Sequence, residues 1–147
     1  MNLDDLADTR ARLMLEGMDP AVIYFWAVAT LEAGADTPAL RRTAAADVRD
    51  QEAQRCEFHL ALDELGAPRL NEEEVGWQYA RYTARSAVIG ELDATRAARR
   101  IVWGAADPLG APKQLRPFVD AVKEAGRPGA DENQIEAMCM RLAREYL

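Results

Sequence analysis

Glu52, Cys56, His59 and Asp63 are the residues of this chain whose types and spacing could carry chemistry. They lie in the run QEAQRCEFHLALDELG, which holds the only histidine of 147 residues and one of only two cysteines. At about 100° of turn per residue they fall within a helical arc of roughly 60°, so a helix would set all four on one stripe. Two chemistries use such residues. A zinc site needs four ligands at about 2.0 to 2.3 Å, and one straight helix supplies only the two that lie a turn apart. The other two have no source: there is no second histidine, and Cys139 falls on the apolar face of the last helix, where it reads as a small hydrophobe. Paired Glu-x-x-His motifs for a di-iron centre and the HExxH zinc motif are absent. A Cys-His nucleophile needs an imidazole held by a third group, a part Asp63 could play four residues beyond His59. No nucleophile elbow or phosphate-cradling glycine loop stands beside it, the nine glycines reading as helix ends. The expectation is therefore no catalytic residue, no metal and no cofactor. Cys56 would pack partly inside, at the edge of a core formed by Phe58, Ala61, Leu62 and Leu65, with His59 and Asp63 as a local i, i+4 pair.

A second cluster points to binding. In DATRAARRIVWGAA the apolar side is Ala94, Ala97, Ala98, Ile101 and Ala105, while Trp103 points the opposite way, flanked by Arg96, Arg99 and Arg100. Tryptophan and arginine are the residue types most enriched at interface hot spots, because they join a large contact area to directed polar groups. The competing structural reading packs Trp103 on a neighbouring helix, with Arg99 stacked over its indole. Tyr79, Arg81, Tyr82 and Arg85 could be drawn as a base-stacking platform, but the tyrosines share an otherwise apolar face.

The run GELDATRAARRIVWG and then LRPFVDAV, between about Ala80 and Asp120, resembles a stretch found in small uncharacterised helical proteins of high-GC bacteria. The resemblance implies a short helix ending in an aromatic residue. It implies no activity, cofactor or partner.

These residues need helices to position them, and the chain punctuates itself as helices do. Asn2 with Asp5, Asp47 with Asp50, Asn71 with Glu74 and Asp131 with Gln134 have the spacing of capping boxes, and Asp19-Pro20 and Thr37-Pro38 place a cap before a proline at the first helical position. Asp93 reads as the cap of the segment carrying Trp103. Pro117 must lie in the first turn of its helix or kink it. The segment after Pro20 is apolar around its whole circumference from Ala21 to Ala29, which predicts a buried central helix near 20–33. The segment near 72–89 is apolar on two nearly opposite faces and reads as a second central helix. No period-two run is flanked by hairpin signals, and no repeat of solenoid length is present. The sequence thus predicts an all-α fold: a single-domain bundle, 1–147, of about seven helices.

Composition narrows the function classes. The formal net charge is −7, which opposes association with nucleic acid, whose phosphates must be neutralised by Lys and Arg. The first residues are acidic and lack a continuous apolar stretch, so no secretory signal is expected, and no run reaches the ~20 apolar residues of a membrane span. Two distant cysteines suit a reducing cytoplasm. These limits leave a macromolecule-binding helical protein of the cytoplasm, immunity- or antitoxin-like or a regulatory adaptor, with a protein partner or self-association. A small metal-dependent or Cys/His enzyme and a self-associating structural module are the alternatives.

Overall fold

Short polar side chains start most of the helices. The computed structural model describes residues 1–147, and its regular elements are all helical: α1 (Leu3–Leu15), α2 (Pro20–Glu32), α3 (Pro38–Ala45), α4 (Gln51–Glu64), α5 (Glu72–Val88), α6 (Ala94–Ile101), α7 (Arg116–Ala125) and α8 (Glu132–Glu145). A π-turn, Val102–Ala106, continues α6, and a short 3₁₀ turn, Lys113–Leu115, precedes α7. The fold is all-α, with eight helices rather than about seven. Asn2, Asp19, Thr37, Asp50, Asn71 and Asp131 each accept a hydrogen bond from a first-turn N–H, satisfying donors that a helix start leaves unpaired. The Asn71–Glu74 capping box is complete in both directions. Asp47 does not open α4; it accepts the Arg49 N–H at 2.9 Å in the turn before it, and Asp50 is the cap.

The packing resolves into two compact units, Met1–Leu70 and Asn71–Leu147. In the first, α3 packs on α4 and α2, around a core built from Leu6, Leu13, Met18, Ile23, Ala27, Leu40, Phe58 and Leu62. Phe58 is fully buried, with the Trp26 ring 5.0 Å away. Full burial of each such side chain is worth about 1.5 to 3 kcal/mol. Gln54, also buried, donates to the Pro20 carbonyl at 3.0 Å and ties the start of α2 to α4. The expectation of a wholly buried helix near 20–33 is corrected here. Only Ile23, Ala27 and Thr30 of α2 are buried, Val22 and Tyr24 are exposed, and Phe25 is 68 % exposed, edge-on to Tyr24 at 5.3 Å. Within its unit, α2 has neighbours on the Ile23/Ala27/Thr30 side, and apolar composition alone does not say how many neighbours a helix has.

In the second unit α5 is central: Val75, Gly76, Gln78, Tyr79, Ala80, Thr83, Ala84 and Ala87 are all buried, and it packs on α6, α8 and the π-turn. Two glycines that the sequence reads as helix ends lie inside helical segments and permit close approach. A Cβ on Gly76 would meet a Leu109 methyl at 2.8 Å, and one on Gly104 would meet the Tyr79 hydroxyl at 2.6 Å. Tyr79, itself 1 % exposed, thus presses on the backbone of the π-turn. There the hydrogen bond from the Asp107 N–H reaches back five residues to the Val102 carbonyl at 2.8 Å. A side chain wedged against a helix at a glycine is a recognised cause of such a local widening.

Gly104→Ala should destabilise the protein by about 1 to 3 kcal/mol, the usual cost of overpacking. In a Tyr79→Phe background the same substitution should cost less, because the closest atom is gone. Urea denaturation of the four members of this cycle checks it; equal costs in both backgrounds would remove the wedge explanation.

Candidate functional site

The stripe of α4 faces away from the core. Taking about 100° per residue, Gln54, Ala61, Leu62 and Leu65 cluster within about 60° of Phe58, whereas Glu52, Cys56, His59 and Asp63 lie about 100° to 160° round from it. Cys56, farthest round, is exposed, and His59, nearest the core, is partly buried. The expectation that Cys56 packs partly inside is therefore corrected, and Glu52 and Asp63 are exposed as well. Asp63 acts on His59 through its charge, and its hydrogen bond goes elsewhere. Asp63 accepts from the Arg10 guanidinium of α1 at 2.6 Å, and the same nitrogen reaches the Ala67 carbonyl at 3.4 Å. Burial lowers the His59 pKa below its ordinary value, the Arg10 charge lowers it further, and Asp63 opposes both. Arg10, 6 % exposed, is the residue that sequence reasoning misses: its partner lies 53 positions away, and no local pattern announces it. No group of three or more His, Cys, Asp and Glu side chains is placed to hold a metal.

The second cluster is positioned by the junction of α6 and α8. Asp93 makes no side-chain cap at the start of α6. That role falls to Glu136 of α8, whose carboxylate accepts the Ala94 N–H at 2.6 Å, the Thr95 N–H at 2.8 Å and the Thr95 hydroxyl at 2.7 Å. Burial alone would raise the Glu136 pKa, but these three donors outweigh it and hold the carboxyl below its usual range. Cys139, one turn on in α8, is 1 % exposed beside Thr95, and burial pushes its thiol up. With this end fixed, α6 buries Ala94, Ala97, Ala98 and Ile101, and the π-turn buries Val102, Ala105 and Ala106. Arg96, Arg99 and Arg100 are exposed, and Trp103 is 64 % exposed. The stacked arginine–tryptophan pair of this unit is a different one, Arg81 over Trp77 at 4.7 Å. Arg96 and Arg99 line an open cleft of about 510 Å³ together with Asp93, Glu132 and Glu136, and neither forms an ion pair.

No protein-family model, curated protein or solved structure matches the chain. Its function is therefore read from these residues.

A histidine whose pKa is lower folded than unfolded binds its proton first in the unfolded chain, so its contribution to stability is complete above about pH 6.5 and is lost as the pH falls through the lower folded value. Unfolding free energy should decline between about pH 7 and pH 5, above the range where the carboxylates titrate, and His59→Gln should flatten that decline. A variant with the parent's slope would show that His59 is not the group responsible. At the other cluster, Glu136→Ala should cost about 1 to 2 kcal/mol, the loss of a helix cap, and raise amide exchange at Ala94 and Thr95 above the rest of α6. Unchanged exchange at those two amides would refute the capping role.

Proposed function

We propose that this protein works by binding another protein through the α6 and π-turn surface, with Trp103 as the anchor and Arg96, Arg99 and Arg100 around it. The observation that carries the reading is a tryptophan left largely in solvent on a segment whose other large apolar side chains are buried. An exposed indole gives a partner a wide, rigid contact at small entropic cost, and adjacent guanidinium groups add directed hydrogen bonds. An immunity- or antitoxin-like inhibitor, or a regulatory adaptor, is the type of protein this describes, since either acts by occupying a surface rather than by transforming a substrate. The cytoplasm is the compartment proposed: both cysteines are free thiols, and no helix is long and apolar enough to cross a membrane. The enzyme reading has less behind it, because Cys56 stands on the outer side of α4 and Asp63 is engaged with Arg10.

Trp103→Ala tests the proposal. Truncating an exposed anchor typically costs about 2 kcal/mol or more of binding, whereas removing a buried tryptophan costs about 3 to 5 kcal/mol of stability. The thermal midpoint should stay within a few degrees of the parent's. A partner captured by the parent chain from cells that express it should be lost with Trp103→Ala and weakened with Arg99→Glu. A collapse of the midpoint, or capture that survives both substitutions, would defeat the reading.

A further inference from the structure

The α7–α8 pair carries an open groove of about 580 Å³ whose lining does not include Trp103. Its apolar floor is formed by Pro117, Ala121, Met138 and Leu142. The two helices run antiparallel, since the Phe118 ring near the start of α7 lies 4.6 Å from that of Tyr146 just past the end of α8. Placing the rim on that frame at about 1.5 Å per residue orders its charges along the groove. Asp120 and Glu145 stand together within about 3 Å of the Phe118 level, Lys123 and Arg141 come about 8 Å along, and Arg127 comes beyond about 13 Å. Glu124 is spoken for by Arg127 at 2.9 Å. With Glu124 and Arg127 paired to each other, the groove keeps two carboxylates, Asp120 and Glu145, at one end and two cations, Lys123 and Arg141, farther along.

We propose that the occupant of this groove is a second copy of the same chain, docked face to face about a two-fold axis across the groove. A two-fold interface must be self-complementary. The charge order meets that condition, because turning one copy end for end sets its Asp120 and Glu145 against the other copy's Lys123 and Arg141. The same order puts like charges together if the copies lie parallel, so the rim selects one orientation. An extended acidic or basic partner would meet repulsion along part of its length. Helices of ten and fourteen residues span only about 15 and 21 Å. The face they offer lies at or below the ~800 Å² per partner of a standard interface, so the dimer is reversible and concentration-dependent.

Sedimentation velocity over a range of concentrations tests this with the protein alone. The parent should pass from a 16.3 kDa monomer toward twice that mass in the micromolar range, and added salt should weaken the dimer. Asp120→Lys with Glu145→Lys, which makes both ends of the groove basic, should weaken it at least tenfold. Adding Lys123→Glu and Arg141→Glu to that variant inverts the polarity and should restore the dimer, a rescue that a merely structural role would not produce. Met138→Glu should weaken it without charge rescue, and it decides the matter together with the salt series if the fourfold variant fails to fold. A parent that stays monomeric to about 0.5 mM, or a dimer indifferent to salt, to Asp120→Lys with Glu145→Lys and to Met138→Glu, overturns the proposal. Trp103→Ala should leave the dimer intact, which separates this surface from the partner-binding one.

Discussion

The interaction on which most else depends is a carboxylate from one helix capping the start of another. α3 and α6 have eight residues each, below the length at which a helix in water holds itself together. Each receives a glutamate from the last helix of its own unit. Glu64 accepts the Ala39 N–H at 2.9 Å, and Glu136 accepts both Ala94 and Thr95. The negative charge faces the positive end of the helix dipole, which strengthens both bonds. The shifts agree: the Thr37 hydroxyl first and the Ala39 N–H second hold the Glu64 carboxyl low, while at Glu136 the donors overcome a burial cost that acts the other way. A cap supplied by a neighbouring helix does two jobs at once, since it closes the helix end and fixes the spacing between the two elements.

In the second unit that fixed point settles which side of α6 is inside. With Ala94 and Thr95 held on α8, the small alanines at 94, 97 and 98 let the helix come close to its neighbours, and Arg96, Arg99 and Arg100, on the other side, are exposed. The π-turn then shifts the helical phase of residues 102–106. Gly104 admits the Tyr79 hydroxyl against its backbone, Ala105 and Ala106 stay inside, and Trp103 leaves the surface from the widened turn. The exposed tryptophan is thus a consequence of inner packing that has no use for its side chain.

Much of this architecture can be seen in the sequence because it is local. Asn71 and Glu74 announce a capping box three residues apart, and the buried stripe of α8 around Cys139 keeps helical spacing. What escapes is whatever depends on a distant partner. Nothing near Asp93 reveals that Glu136 takes its place, and nothing near Asp63 reveals Arg10. The apolar circumference of α2 is readable, but the number of helices beside it is not, so Phe25 is predicted inside and found outside. The stripe from Glu52 to Asp63 shows a different failure: its arc is correct, while its side relative to Phe58 is set by the whole core face from Gln54 to Leu65. Gly76 and Gly104 look like helix ends only until the side chains that fill their missing Cβ positions are known.

The capping carboxylate also bears on why Arg96 and Arg99 have no ion pair. Arg96 and Arg99 border a cleft whose walls include Asp93, Glu132 and Glu136, and in a chain of net charge −7 such arginines would ordinarily be neutralised from within. Glu136 accepts from α6 itself at three points and has little left to offer a guanidinium. Asp93, just before α6, and Glu132, the first residue of α8, are exposed, and an ion pair there would be worth at most about 1 kcal/mol against the entropy of holding two long side chains. The arginines therefore stay solvated, with their planar donor sets open to a carboxylate that arrives already held in place, as one on a folded partner would be. The bond that stabilises α6 and the solvated state of Arg96 and Arg99 are in this sense one arrangement: a carboxylate of their own cleft is spent on the α6 backbone, and the two guanidinium groups face outward.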